Sequence, residues 1–593
     1  MVEVQEKKAP VYTVQTECRD CYRCVRNCPV KAIRVEDSHA LVMSELCVAC
    51  GRCIIHCPAS AKQYRNDIEY VHELLQSKET VFASIAPSFI SEFPEYSSEE
   101  FIFILKTLGF TGVSETALGA DFVSKEVATM LSQTTEQKLF ISSCCPSSVE
   151  YIKRYMPEYS PYITNVASPL LSHARYLHSL YQNAHIVFIG PCVAKKREAD
   201  VWQEIDCAIT FKELRTMIEQ AHISTIDIHE AKKNTKNSFI PRRAAKSELF
   251  PLEGGMIAAC KKYKPLHDVQ FLSVSGIEEI HQTLSGLNPE ELDTPLFLET
   301  LSCSGGCING PGTENKSSLA LKSIKTKTFA QSSDDVLDEE TLKNMPTMLG
   351  TLPCQKVEPK QFSEEEIRQT MRSVGKYSLA DEMNCNGCGY DTCRDFAMAL
   401  LNGLAEKEMC VSYMRQLANK KANGLIQTIP CGIVIVDKNM NIIECNKNFA
   451  KLMGSDIEAI YDVKPGLAGA NLETISNHSH IFKQVLLPHA PDVIDKDIKT
   501  NHTILHYTIF SIEKGEVVAG VIEDVTEPKN IKERTITHAQ KVINKNLETV
   551  QKIAFLLGEN AAETETMLNS VIELYSLDNK TTSTYDESKR SKQ

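Results

Sequence analysis

Cysteine is the residue type with which this sequence could do the most chemistry. The 593-residue chain contains 22 cysteines, and most of them recur at C-x2-C or similarly short spacings. No apolar run is as long as a membrane span, and the opening MVEVQEKKAP lacks the apolar core of a signal peptide, so we expect a cytoplasmic protein. Because thiols stay reduced in the cytoplasm, the clustering predicts metal binding or redox chemistry and not disulfides.

Two of the cysteines are adjacent, Cys144 and Cys145 in SSCCPSS. Successive side chains point in different directions, so the pair cannot easily ligate one metal ion. The geometry that a disulfide demands does not suit the pair either. The two thiols are therefore expected to have different roles.

Two runs near the N-terminus have the spacing C-x2-C-x2-C-x3-C-P. This is the pattern of bacterial two-cluster ferredoxins, in which three thiolates close on one cubane and the fourth reaches the other. Structural zinc is the alternative for C-x2-C pairs, but two complete copies with both prolines favour iron–sulfur and an electron-transferring, ferredoxin-like domain over residues 1–65. The predicted ligands are Cys18, Cys21, Cys24 and Cys57 for one 4Fe-4S cluster (the first ferredoxin site), and Cys47, Cys50, Cys53 and Cys28 for another (the second ferredoxin site).

The elements that must position the later cysteines are short apolar runs between helical stretches. Six runs predict strands, and their alternation with helices predicts α/β layers with largely parallel sheets. The runs are TVFASIAPS, KLFISSCC, AHIVFIGPC, DCAITF, QFLSVSG and PLFLETLSC. Three of them end at cysteines, and ligands bind at the carboxyl ends of strands in open α/β sheets.

Four thiolates complete a cubane, and these strand ends supply Cys145, Cys192, Cys303 and, through the glycines of CSGGC, Cys307. Cys144 is left over as a free thiol beside a metal centre, where it is suited to passing protons. The alternative for Cys144 is a small buried apolar residue.

Three segments in this order, SSCCP, GPCVAKKRE and ETLSCSGGCINGPG, resemble the signature segments of the [FeFe] hydrogenases, and the similarity covers roughly residues 10–350. The resemblance implies a two-lobed domain over 66–350 that holds an H-cluster. In this cofactor a cubane shares one thiolate with a two-iron unit that carries carbonyl, cyanide and a bridging azadithiolate. By position, Cys307 would be the shared thiolate, and the other three cysteines would hold the cubane alone.

The resemblance also implies roles for side chains around the two-iron unit. Lys195 would donate a charge-assisted hydrogen bond to one cyanide, and Pro87 and Ser88 would cradle the other. Cys144 would exchange protons with the azadithiolate amine, and Glu198 would be a structural partner. The alternative for Lys195 is a solvated residue at the start of a helix.

The sequence departs from the family around this unit. Ser148 stands where tryptophan is usual, and Gly190 stands where the second segment begins with methionine. Leu301 and Ser302 replace methionine and alanine, and Pro311 interrupts the last glycines. Gly190 and Leu301 are expected to change the polarity and the room of the cofactor pocket.

The expected proton route is changed more seriously. The prototypical enzymes relay protons through two glutamates one helical turn apart, and the alignment places Val127 and Met130 at those positions. Neither side chain can carry a proton. Thr164, at the position of a relay serine, keeps its hydroxyl. These departures argue against a bulk metabolic catalyst.

A linker at 351–375 precedes four cysteines with the spacing C-x2-C-x4-C-x16-C. The pattern resembles a small helical 4Fe-4S module, predicted over 376–415, with zinc as the alternative. Its ligands would be Cys385, Cys388, Cys393 and Cys410.

The segment GIVIVDKNMNIIECNKNFAKLMG reads as strand, turn, strand and helix, and resembles the start of a PAS domain, predicted over 416–525. Val434 and Val436 would point inward, Asp437 would form the turn, and Asn446 would begin the helices. Four residues of metal-ligating type are expected to be ordinary core or surface residues: Cys431, Cys445, His478 and His480.

Residues 526–575 approximate a heptad seam, which predicts a helix for dimerisation or partner docking; a helix packed on its own domain is the alternative. The seam consists of Ile536, Ala539, Ile543, Val550, Ile553 and Leu557, with Asn546 as a polar interruption. The polar tail, 576–593, is predicted to be disordered.

The leading interpretation is a multidomain α+β and α/β protein that resembles the sensory, PAS-containing [FeFe] hydrogenases (HydS-type, group C-like) of anaerobes. It would oxidise H2 and reduce protons slowly and reversibly, exchange electrons with a partner such as ferredoxin, and signal to a phosphatase or kinase. The expected cofactors are the H-cluster, built by maturation proteins, and three further 4Fe-4S clusters. A homodimer through the PAS domain and C-terminal helix is a further hypothesis. The net charge of −13 argues against nucleic acid and anionic membranes.

Two other hypotheses stay open. One is a catalytically competent, ferredoxin-linked hydrogenase that the PAS domain regulates. The other is a binding-only redox protein whose central site holds a cubane without the two-iron unit, as in hydrogenase-like assembly factors. The presence of Lys195 and Cys144 counts against this last hypothesis.

Overall fold

The structure is a computed structural model, and its described residues are 8–77, 79–133, 137–224, 226–228, 237–358, 360–487, 491–499 and 503–526. The chain divides into two compact units, residues 1–415 and residues 416–593. The helix predicted over 526–575 and the tail predicted over 576–593 lie outside the described residues, apart from Thr526.

The N-terminal cysteine runs fold into two small, similar halves. The strands Val11–Thr13 and Lys62–Tyr64 pair antiparallel, as do Ile33–Glu36 and His39–Val42. Each cysteine run contains a five-residue helix, Arg23–Asn27 or Arg52–His56. The third cysteine of each run lies inside the helix and the fourth directly follows it, so each helix separates ligands predicted for different cubanes.

The first lobe of the central domain is built on a four-stranded parallel sheet. Its strand order is Gly112–Glu115, Val81–Ile85, His185–Gly190 and Cys207–Thr210. The packed helices are Ile68–Gln76, Phe89–Glu92, Ser98–Thr107, Pro169–Leu180, Ala194–Val201 and Phe211–Ala221. The sheet interior is almost wholly apolar, which is typical of parallel sheets covered on both faces.

The second lobe is built on a three-stranded parallel sheet in the order Gln270–Ser275, Leu296–Leu301 and Leu139–Ile141. Its helices are Ala117–Gln133, Pro146–Tyr155, Gly255–Tyr263, Ile277–Leu284, Leu319–Gln331 and Glu339–Lys343. All six apolar runs of the sequence are therefore strands, and all pair in parallel. The strand Gly112–Glu115 was missed because GVSE carries a single large apolar residue.

The segment predicted to be a linker, 351–375, contains the helix Glu364–Ser373. Ser363 and Glu366 form a capping box at its start, which accounts for a helix in so charged a stretch. Ile367 and Met371 are buried against the helix Cys393–Leu401 of the predicted cluster module. The ordered module thus begins before residue 376, and the helix Val411–Thr428 follows its last cysteine.

The second unit contains a five-stranded antiparallel sheet with helices on one side. The strand order is Ile442–Cys445, Gly432–Asp437, Val517–Asp524, Ile504–Glu513 and Val493–Lys499, and the helices are Lys447–Met453, Ser455–Val463, Leu472–Ile475 and His480–Leu486. Val434 and Val436 are buried, Asp437 accepts turn hydrogen bonds from Asn439 and Asn441 N–H, and Asn446 caps the first helix. These placements agree with the PAS interpretation. No helix of the described residues is both long and apolar enough to cross a membrane.

Candidate metal centre

A cavity of about 100 Å³ lies where strand ends of the two lobes meet. This is several times the roughly 10–15 Å³ that holds one water molecule. Its lining includes eight of the side chains to which the sequence assigned roles, namely Pro87, Ser88, Cys144, Cys145, Cys192, Lys195, Leu301 and Cys307. Residues from all three hydrogenase-like segments, and from the Pro87 turn, therefore meet at one place.

The four predicted cubane cysteines lie within electrostatic range of one another. Burial raises the pKa of Cys303 well above its usual value, and the charges of Cys307, Cys192 and Cys145 raise it further. Cys192 and Cys307 show the same pattern, with the pKa of Cys192 raised to about 11. Four thiols grouped within electrostatic range form a donor set that a cationic iron–sulfur centre would deprotonate and stabilise.

No three His, Cys, Asp or Glu side chains among the described residues are grouped so as to hold one metal ion. A cubane binds each thiolate through a different iron, so its ligands stand further apart than those of a single tetrahedral zinc. The electrostatic grouping of the cysteines fits the cubane case.

Lys195 is buried and held by two partners. Its Nζ donates to Ser168 Oγ at 3.1 Å and to Glu198 Oε2 at 2.5 Å. Although burial alone would lower it, the pKa of Lys195 is raised because Glu198 stabilises the ammonium. Lys195 is thus a charged residue in the cavity wall, and its burial excludes the alternative of a solvated residue. Glu198 pairs with it, as expected of a structural partner.

Cys144 lies at the cavity beside Met256, whose Sδ is 3.5 Å from Cys144 Sγ. Burial raises the pKa of Cys144 well above its usual value, while the charge of Lys195 opposes the rise. Burial therefore favours the neutral thiol over the thiolate. Its lining position fits a proton-holding role better than that of an ordinary core residue.

Ser88 supplies the observation that tests whether a cofactor fits. Its side chain is 1% exposed and lines the cavity, and its Oγ has no hydrogen-bond partner in the described protein. An unsatisfied buried hydroxyl costs roughly 1–3 kcal/mol, so the site favours a polar group in the cavity. A cyanide is such an acceptor, and the residues present fit an H-cluster.

Three positions that depart from the family do not line the cavity directly. A Cβ at Gly190 would lie 2.5 Å from the ring of Phe188, so Phe188, which does line the cavity, occupies the room that a side chain at 190 would need. Ser302 Oγ is 3.5 Å from Cys145 Sγ and acts on the ligand. Ser148 is buried and donates to Cys145 O at 3.0 Å.

Glu299 was not singled out from the sequence, yet it lines the cavity. It lies on the strand Leu296–Leu301, and its Oε1 accepts from Met256 N–H at 3.2 Å while its Oε2 has no hydrogen-bond partner in the described protein. Burial raises the pKa of Glu299 to about 7. The signal that could have identified it is an acid in the middle of the apolar run PLFLETL.

The expected relay helix is apolar at the two positions in question. Val127 and Met130 lie on the helix Ala117–Gln133, in the same hydrophobic cluster that Cys144 packs against. Thr164 Oγ1 is 3.1 Å from Ser143 Oγ, next to Cys144 in the chain. A proton at Cys144 therefore meets no acid at positions 127 and 130.

The ferredoxin-like cysteines form two groups. Burial raises the pKa of Cys24, and the charges of Cys18 and Cys21 raise it further. The pKa of Cys28 rises to about 11 through burial and the charge of Cys47. Cys28 is thus grouped with the later run, as the spacing predicts. Cys57 directly follows the helix Arg52–His56. In the module, all four predicted ligands line one small cavity: Cys385, Cys388, Cys393 and Cys410.

Within the second unit, the scattered residues behave as expected from the sequence. Cys445 is buried, Cys431 is half-buried, and the rings of His478 and His480 have centroids 6.3 Å apart. His478 also packs edge-on against Tyr507. These are packing contacts of the PAS fold.

Family models match four parts of the chain. Residues 79–311 match the C-terminal domain of the iron-only hydrogenase large subunit; residues 10–58 match a 4Fe-4S dicluster domain; residues 381–412 match an Fe–S cluster family; and residues 421–482 match a PAS domain.

Individual relatives are distant. Iron hydrogenase 1 of Clostridium pasteurianum is 25% identical over 43% of this chain and 52% of its own length. Nuclear prelamin A recognition factor of Xenopus laevis is also 25% identical, over 39% of this chain and 64% of its own length. The solved structure of [FeFe]-hydrogenase HydA1 from Chlamydomonas reinhardtii has a TM-score of 0.34 at 17% identity, covering 47% of this chain and 92% of that one. The chain thus spans between half and two thirds of the length of these curated relatives.

The family matches agree with the site geometry described above. The chain therefore contains a region that matches the C-terminal domain of the iron-only hydrogenase large subunit, together with regions that match 4Fe-4S and PAS domains, and its similarity to individual [FeFe] hydrogenases is weak.

Proposed function

We propose that the chain is a sensory [FeFe] hydrogenase that turns over H2 and protons slowly and reports hydrogen, or the redox poise it sets, through its PAS domain. The single observation that carries this proposal is the central cavity. Its lining gathers three of the four predicted cubane cysteines together with Cys144, a buried lysine and a serine hydroxyl that has no partner among the described residues. The fourth, Cys303, lies within electrostatic range of the other three. The helix on which a proton relay is expected is apolar at both key positions, Val127 and Met130.

The residues that would hold the H-cluster are Cys145, Cys192, Cys303 and Cys307. When bound, the cofactor supplies the redox-active irons and the amine base at which dihydrogen is split or formed. Lys195 Nζ and Ser88 Oγ would fix its orientation by donating hydrogen bonds, and the apolar wall around Leu301 and Phe188 would exclude bulk water.

Proton exchange at the cavity would depend on two side chains. Cys144 Sγ would hold a proton beside the cofactor, and Glu299, whose pKa of about 7 lets it gain and lose a proton near neutrality, would exchange protons in its vicinity. Two neighbours act on the pKa of Glu299: the half-buried Ser273 lowers it and the exposed Glu253 raises it. A single buried acid in place of a helical relay is consistent with slow turnover.

The remaining parts of the proposal concern signal output. Electrons would pass through the two ferredoxin sites and the module to a ferredoxin-type partner, and the PAS domain would present the outcome to a phosphatase or kinase in the cytoplasm. Maturation proteins would assemble the two-iron unit, and the PAS domain with the C-terminal segment would form a homodimer.

The second candidate is a competent hydrogenase that the PAS domain only regulates, and Glu299 favours it because a buried acid with a near-neutral pKa could replace the missing glutamates. The hydrogen turnover of fully matured protein separates the two. The sensory proposal expects a rate well below that of metabolic homologues under the same conditions, and an equal rate would contradict it.

A further inference from the structure

We infer that the second ferredoxin site is a three-way junction, which exchanges electrons with the central cavity, with the first ferredoxin site and directly with the cluster module around Cys385. The module would then join the electron path in parallel with the first ferredoxin site, and not in series behind it. This inference rests on the proposed iron–sulfur loading of the three sites.

The first arm of the junction faces the central cavity. Gly51, between Cys50 and the helix Arg52–His56, has a φ of +73°, and a Cβ there would lie 2.5 Å from Pro311 of the third hydrogenase-like segment. Arg197 of the second segment donates to Cys47 O at 2.8 Å. The second ferredoxin site therefore contacts the two hydrogenase-like segments that supply Cys192, Cys303 and Cys307.

The second arm joins the two ferredoxin sites. The helices Arg23–Asn27 and Arg52–His56 pack against each other, and Cys53 and Cys24 lie in one buried cluster. This is the arrangement expected of a two-cluster ferredoxin.

The third arm joins the module to the helix Arg23–Asn27. Lys31 Nζ donates to Gly389 O at 2.8 Å, and Arg26 Nη1 donates to Gly387 O at 3.1 Å. Gly389 has a φ of +93°, and a Cβ there would lie 2.8 Å from Val25 Cγ1. The loop between Cys388 and Cys393 is thus seated on the middle of the helix whose ends carry Cys24 and Cys28.

Tyr390 lies at the centre of this contact. Its side chain is 3% exposed, and Lys31 Nζ lies 5.9 Å from its ring centroid. Tyr390 and Cys28 of the second ferredoxin site are buried in one hydrophobic cluster, against which Cys388 of the module also packs. The aromatic ring therefore lies near a ligand of each of the two clusters.

The module also touches the first ferredoxin site, because Arg26, which bonds the module through Nη1, also donates from Nη2 to Cys21 O at 2.8 Å. The contact through Tyr390 nevertheless connects the module to Cys28 of the second ferredoxin site without involving a ligand of the first ferredoxin site. Cys21 and Cys385 are both exposed. One buried junction would thus connect two clusters that each have an exposed ligand. One electron carrier could then exchange electrons at the first ferredoxin site while another does so at the module.

The decisive experiment is electron paramagnetic resonance of the reduced, cluster-reconstituted full chain. In wild-type protein the module cluster should show magnetic coupling to a neighbouring cubane. In Cys21→Ala, which removes a ligand of the first ferredoxin site, a junction predicts that the coupling persists after the first cluster is lost. Loss of the coupling together with that cluster would show a series path and overturn the inference.

A matched pair of glycine variants tests the same contact without removing a ligand. Gly389→Ala places a methyl group against Val25, whereas Gly403→Ala, also at a positive φ in the module, meets nothing within 4 Å. We expect loss of coupling in Gly389→Ala and wild-type coupling in Gly403→Ala. Equal behaviour of the two variants, or a module that binds no 4Fe-4S cluster, would overturn the inference.

The readout requires neither the two-iron unit nor hydrogen. Protein that lacks carbonyl and cyanide infrared bands but keeps the coupling would contradict the proposed hydrogenase function and leave the junction intact. Protein that shows the infrared bands but lacks the coupling would contradict the junction and leave the proposed hydrogenase function intact.

Discussion

Two walls of the central cavity differ in what they offer a proton. The helix Ala117–Gln133 lines the cavity through Ala117 and Ala120, and further along it carries Val127 and Met130, where the family resemblance leads one to expect glutamates. The wall formed by the strand Leu296–Leu301 carries Glu299, a buried acid with a pKa of about 7. Under the proposed function, proton exchange would depend on the strand Leu296–Leu301 and not on the helix Ala117–Gln133.

The largest expected effect is that of Glu299→Gln, because it removes the acid from the strand wall while keeping its shape. General acid–base groups contribute about 10²- to 10⁴-fold to rates, so we expect H2/D2O exchange to fall by at least about a hundredfold. Glu290→Gln, at an exposed position just before the same strand, is the control and should exchange at the wild-type rate. Unchanged exchange in Glu299→Gln would show that protons use another wall.

The second prediction transfers the acids back to the helix wall. Val127→Glu combined with Met130→Glu, in the Glu299→Gln background, should raise the H2/D2O exchange rate about tenfold above that of Glu299→Gln alone, because the two acids would rebuild a relay. The matched control is Val127→Gln with Met130→Gln, which alters packing equally without adding acids. Because Val127 is fully buried, both pairs should also cost stability, by about 1–3 kcal/mol for each buried polar group. Equal exchange in the two pairs would contradict a helix-wall route.

The third prediction concerns the pH dependence of stability. Glu299 has a pKa raised from its usual value of 4.5 to about 7 in the folded protein, so the folded state binds the proton more tightly than the unfolded state. The contribution of Glu299 to the free energy of unfolding is therefore fully present below about pH 4.5. It falls by up to about 3 kcal/mol as the pH rises to about 7. The free energy of unfolding of Glu299→Gln, measured by denaturant titration at several pH values, should lack this decline. A decline equal to that of wild type would place the titrating group elsewhere.

The smallest expected effect is that of Ser88→Ala, on the lobe opposite the strand wall. A neutral hydrogen bond contributes about 0.5–1.5 kcal/mol, so the turnover should change by less than about tenfold while one cyanide infrared band shifts. Ser147→Ala is the control, because Ser147 is equally buried and equally unpaired among the described residues but does not line the cavity. A band shift of the same size in both variants would remove Ser88 from the cofactor site.

Much of the fold could be predicted because its determinants are local. The apolar run AHIVFIG indicates a buried parallel strand by itself, and the spacing of Cys28 and Cys47 already implies that the two cysteine runs exchange ligands. The helix Glu364–Ser373 was missed because its charge and the prolines around it suggested a linker, although its capping box and the apolar pair Ile367 and Met371 were present in the sequence.

The part of the site that could not be predicted depends on distant packing. Glu299 becomes a cavity residue only because the strand Leu296–Leu301 lies between two others and Met256 approaches it from the helix Gly255–Tyr263. The filling of the space beside Gly190 by Phe188 likewise depends on the sheet, since Phe188 lies on the same strand but outside the signature segment that begins at Gly190. The position of Tyr390 between two cluster sites depends on how the module docks.

The most direct test of the central claim is the infrared spectrum of matured full-length protein beside its Cys307→Ala variant. Carbonyl and cyanide groups absorb where protein groups do not, so the spectrum reports the two-iron unit alone. We predict these bands in the wild-type protein and their loss in Cys307→Ala. A fully iron-loaded wild-type protein without the bands, or unchanged bands in the variant, would contradict the H-cluster assignment.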